Sequence, residues 1–302
     1  DNIWGTLEQD TFRRDFTVNA LYYCPVSKKI EDHNSGIKHI RDKKIVSIGD
    51  PIKRFSEDPV RSLRAIRFSN KLRFKIDRKI KDAIYKQGHL LSHISNARLF
   101  DEFCKIFLNG IAEKNFKKLE SYGLNQYLIL TNPNDTIFSS ELIKEALRNT
   151  DKRFGENKSI TPGFLIAAML WPELIKRASK NYEINLRKFF RSMDQVLKNQ
   201  QNITAIPRKF HTYIKDIWIL QLKLHSRIGK QPYKTLKHPR FRAAYDFLLI
   251  REKASKCKPD LGSWWTKFQK NDPSAQKSLI SNLRELNEEQ SFKKFGFPEE
   301  LI

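Results

Sequence analysis

Along most of the chain apolar residues recur at three- and four-residue intervals, in segments of about 10 to 20 residues separated by short polar breaks, the pattern of amphipathic helices. Only 11 glycines and 12 prolines punctuate the sequence. The pattern breaks between residues 28 and 50. There Lys28–Glu31 and Lys44–Ile48 read as short strands around an Asn34-Ser35-Gly36 turn, the edge of a small α/β unit. Asp15 reads as the cap of a helix running through Asn19 and Leu21. Asp58-Pro59 reads as an N-cap followed by proline at the first helical position, so a helix is expected there and past Phe68. The Pro/Asn-rich break at Thr131–Thr136 and the polar stretch Asn199–Pro207 are the expected boundaries. They give working units 1–50, 51–130, 131–205 and 206–302 in a mainly α chain.

The composition adds charge to this picture. Of 302 residues, 57 are Lys or Arg and 34 Asp or Glu, a formal excess of +23. Residues 51–100 carry +9 of it and 201–250 carry +8, while 1–50 sum to zero. Two concentrated blocks suit a surface that follows a phosphate backbone better than they suit solubility alone. The alternative is a lysine-rich set of solvated helix faces. With 39% hydrophobic residues the chain buries a real core, so wholesale disorder is excluded. The longest apolar run, Phe164–Trp171, is shorter than the roughly 18 residues that span a bilayer. No secretory signal pattern is present, and Cys24, Cys104 and Cys257 form neither a disulfide framework nor a zinc spacing, so a cytoplasmic protein is expected. The seven histidines show no metal-ligand spacing, with His211, His225 and His238 read as surface or packing residues. No nucleophile–base set argues for a hydrolase.

Three clusters in the first hundred residues carry chemistry. The first is Arg13-Arg14-Asp15-Phe16-Thr17-Val18-Asn19-Ala20-Leu21; the second is Asp32-x-x-x-Gly36; the third runs from Arg54 through Glu57-Asp58-Pro59-Val60-Arg61 to Phe68. Two guanidinium groups beside a carboxylate can hold triphosphate oxygens while the carboxylate accepts from a ribose hydroxyl. On a helix beginning at Asp58, residues Asp58, Arg61, Arg64 and Arg67 form one stripe, with Leu63 and Ile66 facing the core. An acceptor and a guanidinium one turn apart can address neighbouring positions on a base edge: Asp58 accepting from the adenine N6 amino group, Arg61 donating to N1, Glu57 orienting Arg61 from behind. A solvated, salt-bridged helix face is the plain alternative.

The order and spacing of these clusters resemble the bacterial tRNA nucleotidyltransferase and poly(A) polymerase family, the class II nucleotidyltransferases. RRDFTVNAL resembles the family's ribose and phosphate motif, DHNSG its flexible D-x-x-x-G motif, and EDPVRSLRAIRF its base-contacting E-D-x-x-R motif; Ser95–Glu102 resembles the segment that closes the neck. The resemblance implies that Asp15 is an active-site carboxylate, that Arg13, Arg14, Asp58, Arg61 and Arg64 bind nucleotide, that Glu57 orients, and that Asp32 and Gly36 form a hinge. His39-Ile40 stand where the family often has Asp-Leu. The G-G-x-V-R-D loop and D-x-D metal pair are absent, and Glu8-x-Asp10, in an expected polar turn, is no replacement. A chain lacking its N-terminal catalytic portion is therefore expected, Mg²⁺ being held mainly by residues not in this sequence; the alternative is a degenerate paralogue that binds RNA without polymerising.

The C-terminal third, through Asp216-Ile217-Trp218, Leu236-x-His238-Pro239-Arg240-Phe241 and Trp264-Trp265, resembles the helical extension of proteobacterial poly(A) polymerases. The expected architecture is a helical neck, body and C-terminal extension following the remnant of a small α/β head. The expected activity is template-independent transfer of AMP from ATP to RNA 3′ ends, with a CCA-adding enzyme or a non-catalytic RNA-binding module as alternatives. RNA-degradation or RNA-chaperone proteins are expected partners. On charge, Lys223, Arg227, Lys230, Lys234, Lys237, Arg240 and Arg242 are expected to track RNA. The interleaved Tyr233, Phe241 and Tyr245, with Trp218 and Trp264, are assigned to core. The chain ends in the acidic Pro298-Glu299-Glu300 instead of an Arg-rich tail.

Overall fold

The computed structural model describes residues 6–130, 137–180, 183–255 and 260–287. The boundary expected at Thr131–Thr136, Cys257 and the acidic end at residues 298–300 lie outside the described residues. The chain divides into two units, residues 1–128 and 129–302.

The first unit holds α1 (Leu7–Arg13), β1 (Leu21–Cys24), β2 (Lys29–Asp32), α2 (Gly36–Arg41), β3 (Lys44–Ile45), α3 (Pro51–Glu57), α4 (Val60–Leu72), β4 (Lys75–Ile76), α5 (Arg78–Gln87), α6 (Asn96–Phe107) and α7 (Ala112–Ser121). Thr6 and Gln9 close a capping box on α1, which places Glu8 and Asp10 in a helical first turn instead of the polar turn expected from sequence. The helix expected through Asn19 and Leu21 is not formed. Thr17–Asn19 make one 3₁₀ turn, and Leu21-Tyr22-Tyr23-Cys24 pair antiparallel with Lys29–Asp32. Two consecutive tyrosines suit a pleated strand, and Asp15 is engaged elsewhere and caps nothing. The two strands read from the sequence are thus not partners. β3 is only Lys44–Ile45 and runs parallel to β4, burying Ile45 and Ile76.

Asp50 caps α3 by accepting from the Lys53 N–H, with Pro51 in the first turn. The helix expected at Asp58-Pro59 forms one residue late: α4 begins at Val60, and the Asp58 carboxylate still accepts from the Val60 N–H at 3.3 Å. Leu63, Ala65 and Ile66 of α4 are fully buried, as the helical period required, and α6 adds Phe103, Ile106 and Phe107 to the same unit's core.

The second unit is helical: α8 (Ile137–Gly155), α9 (Pro162–Ala178), a two-residue pair β5 (Ser179–Lys180) and β6 (Glu183–Ile184), α10 (Leu186–Gln201), α11 (Arg208–Leu224), α12 (Gln231–Leu236), α13 (Phe241–Ser255), α14 (Leu261–Lys270) and α15 (Pro273–Asn287). α9 packs on α10 and α11, and α13 on α8 and α11. Trp171 and Trp218 are fully buried at this centre, the Trp218 indole donating to the Ala167 carbonyl at 2.9 Å. Phe241, Tyr245, Trp264, Trp265 and Phe268 form a second buried cluster, with Tyr233 packed against it, so the aromatics interleaved in the basic stretch are core. Among the described residues no helix is long and apolar enough to cross a membrane.

One glycine fixes how the hairpin meets α2. A Cβ on Gly36 would lie 2.5 Å from the Thr17 carbonyl oxygen and 3.0 Å from Leu21 Cδ2, so α2 approaches the 3₁₀ turn through the missing side chain. Gly36→Ala is expected to destabilise the chain by about 1–3 kcal/mol, the range for overpacking a close contact. Urea denaturation checks it; an unchanged midpoint shows that the approach of α2 to the turn tolerates a side chain.

Candidate functional site

The segment carrying Asp15 is tied to the strand-like stretch after β3. Thr17 N–H donates to Val46 O at 3.0 Å and Ile48 N–H to Asp15 O at 3.1 Å. These bonds leave the Asp15 side chain directed at α4, 49 residues on, where Arg64 Nε meets its Oδ2 at 2.5 Å. Its other oxygen accepts from the Phe16 N–H at 2.9 Å and Asn19 Nδ2 at 3.0 Å. Burial would raise the Asp15 carboxyl, but Arg64, Asn19 and the Phe16 N–H outweigh it and hold it below its ordinary range. Asp15 is only 7% exposed, so it is a buried, ionised carboxylate whose Oδ1 holds two donors and Oδ2 one.

Around it opens a cleft of about 420 Å³. Arg13, Arg14, Asp15, Asp58, Arg61 and Arg64 all line it, so residues spread over fifty positions of sequence come to one place. Glu57 stands behind, its Oε2 3.1 Å from Arg54 Nη1 and 3.8 Å from Arg61 Nη1. It contacts Arg54 more closely than Arg61. Arg67, the fourth member of the expected stripe, does not line the cleft; its guanidinium lies 4.4 Å from the Phe68 ring centroid.

Two groups of residues lie in or beside the named motifs without an individual site role there. Arg54 donates through Nη2 to the carbonyls of Arg13 and Arg14 at 2.9 and 2.8 Å, clamping the arginine pair's backbone to α3. Helix α6 supplies Arg98, Asp101, Glu102 and Lys105 to the cleft. Arg98 pairs with Asp58 at 2.8 Å and Lys105 with Glu102 at 2.8 Å. The signal for them is the Ser95–Glu102 segment, whose resemblance points to neck closure and not to this wall. Arg14 pairs with Asp10 at 2.8 Å and donates to the Tyr22 hydroxyl at 2.9 Å. Arg61 makes no close carboxylate contact and donates to the Arg54 carbonyl at 3.2 Å. Burial and the neighbouring Arg54 lower its pKa, with Asp58, Asp15 and Glu57 acting in the opposite direction. A cationic group so placed gains most from an anionic or hydrogen-bond-accepting ligand.

Asp32 and Gly36 join β2 to α2. Asp32 Oδ1 accepts from Gly36 N–H at 2.7 Å and Asn34 N–H at 3.2 Å, while Oδ2 accepts from Ile37 N–H at 2.9 Å. Burial opposes ionisation here too, yet the three backbone donors keep this carboxyl below its ordinary range. His39, at the position where Asp is frequent in the resembling family, has its Nδ1 3.0 Å from the Thr17 hydroxyl. The contact from α2 to the Asp15 segment is therefore made by a histidine.

The seven basic residues of 223–242 are distributed over more than one concavity. Lys230, Lys234 and Lys237 line one concavity with Lys277 from α15. Arg240 and Arg242 line another with Arg153 and Tyr213, and Arg242 pairs with Asp246 at 3.1 Å. Arg227 is half-buried, 3.3 Å from Asp260, and Lys223 is exposed on α11.

The described residues do not fit a divalent metal. The Asp15 charge is already met by the Arg64 guanidinium, and among the described residues no group of three or more His, Cys, Asp or Glu could hold an ion.

Residues 2–46 match a family model described as poly A polymerase head domain, residues 73–133 one described as probable RNA and SrmB-binding site of polymerase A, and residues 183–295 one described as polymerase A arginine-rich C-terminus. The chain is 39% identical to Poly(A) polymerase I of Escherichia coli O6:H1, the match covering 94% of this chain and 64% of that protein. It thus spans just under two thirds of the length of that relative. The CCA-adding enzyme of Anoxybacillus flavithermus is 37% identical over 46% of this chain and 34% of its own length. A crystal structure of the Bacillus stearothermophilus CCA-adding enzyme in complex with CTP superposes with a TM-score of 0.57 at 22% identity, covering 93% of this chain and 61% of that one. At that identity the likeness is one of fold.

Removal of the Asp15 charge tests the clamp. Because its folded pKa lies below the ordinary 3.8, the ion pair stabilises the protein above that pH and is lost as pH falls through the folded value. Asp15→Asn is expected to cost about 1.5–3 kcal/mol at neutral pH, with the difference from the parent closing in acid; a difference unchanged by pH rejects the ion pair as its cause. Replacing Lys230, Lys234 and Lys237 together by Gln is expected to weaken RNA binding and lower the slope of log affinity against log salt by about 2. An unaltered slope assigns those lysines to solubility.

Proposed function

Since the chain belongs to the tRNA nucleotidyltransferase and poly(A) polymerase family, we propose that it serves template-independent RNA 3′-end polyadenylation, the transfer of AMP from ATP to an RNA 3′ hydroxyl with release of pyrophosphate. The observation that carries the reading is the convergence of Arg13, Arg14, Asp15, Asp58, Arg61 and Arg64 on one cleft. In the reaction the 3′ oxygen bonds to the α-phosphorus as the bond from that phosphorus to the bridging oxygen breaks. The hydroxyl proton passes to solvent, and pyrophosphate carries off the bridging electrons. The part taken by this chain's residues is binding and orientation. Divalent-ion chemistry belongs to such a transfer, and no step of it is assigned to the described residues.

Arg13 and Arg14 meet phosphate oxygens, and Asp15, kept ionised by Arg64, accepts from a ribose hydroxyl. Asp58 accepts from the exocyclic amino group of the base. Its two oxygens hold one partner each, Arg98 and the Val60 N–H, and a carboxylate oxygen accepts two bonds, so the amino group can be added without releasing Arg98. Arg61 donates to the adjacent ring nitrogen, with Glu57 and the Arg54 carbonyl holding it from behind. Asp32 and Gly36 act as the hinge between hairpin and α2. The basic residues from Lys223 to Arg242 contact RNA, and units 1–50, 51–130, 131–205 and 206–302 serve as head portion, neck, body and extension. The setting is cytoplasmic, among proteins of RNA degradation and remodelling.

Adenine and cytosine present the same amino donor beside a ring-nitrogen acceptor on the Watson–Crick edge. The Asp58–Arg61 pair therefore excludes guanine and uracil and leaves ATP and CTP alike. The preference for poly(A) over CCA addition rests on the extent of the match to poly(A) polymerase I, which includes the C-terminal third.

Protein expressed from its native gene, incubated with ATP, magnesium and an unstructured RNA, is expected to give a growing ladder. Addition limited to a CCA end on tRNA supports the alternative, and RNA binding without extension a binding module. Arg61→Ala is expected to reduce ATP selection over UTP roughly 10- to 100-fold, the loss of one hydrogen bond from a charged group, with RNA affinity retained. Unchanged selection removes Arg61 from base reading.

A further inference from the structure

Arg240 and Arg242 stand at a pocket of the second unit that a charge count along the basic stretch does not reveal. Parts of α8, α9, α11 and α13 enclose about 200 Å³ there. Three guanidiniums, those of Arg153, Arg240 and Arg242, line it with a single carboxylate, Asp246, an excess of two positive charges. That carboxylate is already engaged: its Oδ2 lies 3.4 Å from Arg153 Nη1 and its Oδ1 3.1 Å from Arg242 Nε. Arg153 also donates through Nε and Nη2 to the Ser159 carbonyl at 3.2 and 3.1 Å, tying the α8–α9 connection to α8. Arg240 has no carboxylate partner among the described residues, and its guanidinium rests 4.9 Å from the centroid of the Tyr213 ring. A salt-bridged seam between α8 and α13 accounts for Arg153, Asp246 and Arg242. It accounts for neither Arg240 nor the void, since a seam that only joins helices closes at interior packing density.

The rest of the lining narrows the ligand. Ile160, Phe164, Pro239 and Ala243 add apolar surface to the same pocket. An inorganic anion would meet the guanidiniums and leave that surface idle. A nucleotide uses both, its phosphate taken by guanidinium N–H groups and its flat base packed on apolar carbon and on an arginine plane. The volume sets the length. At about 200 Å³ the pocket lies below the roughly 300–1,000 Å³ of drug-sized ligand sites, so it takes one unit of a chain and no more.

We propose that this pocket binds one nucleotide unit, its phosphate on Arg240 and Arg242 and its base against Ile160 and Phe164. The pocket lies wholly in the second unit and shares no residue with the cleft of Asp58 and Arg61. Two sources supply such a unit, a nucleotide turned out of an RNA strand and a free mononucleotide. The first rests on the reading that residues up to Arg242 contact RNA, and deepens it; the second stands without it.

The test is photo-crosslinking of the 302-residue chain with an azido-substituted AMP, mapped by mass spectrometry. Labelling suppressed by unlabelled AMP is expected on the peptides that carry Tyr213 and Asp246. The double variant Arg240→Gln, Arg242→Gln is expected to lower it about 10-fold or more, the loss of a hydrogen bond from a charged group. Ala243→Leu, which fills the pocket and removes no charge, is expected to abolish it. Thermal midpoints serve as the control for folding. A fluorescein-labelled RNA then separates the sources. Weaker RNA binding by Ala243→Leu, with the slope of log affinity against log salt kept, assigns the unit to a strand; RNA binding as in the parent assigns it to a free mononucleotide. Labelling unchanged in a folded Ala243→Leu variant assigns the contact to surface charge and overturns the proposal. So does the absence of competable labelling on those peptides in the parent. Either result leaves the polymerase reading intact, which the growing ladder tests separately.

Discussion

The ion pair between Asp15 and Arg64 is the contact on which the rest of the site depends. It joins a short segment between α1 and the hairpin to the middle of α4, 49 residues away, at 2.5 Å. A carboxylate buried to this degree without a partner would be protonated or would pull the segment open. With Arg64 in place it stays ionised and fixes the height of the Arg13-Arg14-Asp15 wall against the helix that carries Arg61. Arg54 acts on the same wall from the other side, holding the carbonyls of residues 13 and 14. Together the two contacts set where Arg13, Arg14, Asp15 and Arg61 stand around the cleft.

The charges of the cleft are then sorted by pairing. Arg64, Arg98 and Lys105 are each matched to a carboxylate of the same wall, and Arg14 to Asp10 outside it. Arg61, partly desolvated and bonded to a backbone carbonyl, is left with only a distant carboxylate at 3.8 Å. The arrangement separates cations matched to a nearby carboxylate from Arg61, which is not. It also gives Asp58 a second role, since its pairing with Arg98 couples α4 to α6 through the residue assigned to the base.

Much of this is legible in the sequence because the chemistry lies in short, contiguous motifs. The buried face of α4, with Leu63 and Ile66, follows from helical period, and the two clusters that meet at the cleft, around Asp15 and around Asp58, are identifiable from residue type and spacing alone, as is the Asp32–Gly36 junction away from its lining. Pairings between distant segments are not. Local pattern cannot show that Lys44–Ile45 pairs with Lys75–Ile76 or that Lys29–Asp32 pairs with Leu21–Cys24, because a two- or four-residue strand carries too few positions to declare its partner. Asp15 reads as a cap for the same reason, its true partner being far along the chain. The basic stretch 223–242 is one run of lysines and arginines along the sequence, and counting charges cannot show that Lys230, Lys234 and Lys237 line one concavity and Arg240 and Arg242 another. Arg98 sits in a recognisable motif, yet only the placement of α6 beside Asp58 brings it into the cleft.

Where a purine triphosphate docks decides whether Asp58 and Arg61 read a base. Photo-crosslinking with an azido-substituted ATP, followed by peptide mapping by mass spectrometry, locates it directly. Labelling concentrated on the peptides that carry Arg54–Arg67 and Asn96–Lys105, and suppressed by unlabelled ATP, is the result this structure leads to. Competable labelling confined to α12, α15 or the β3–β4 pair would contradict it.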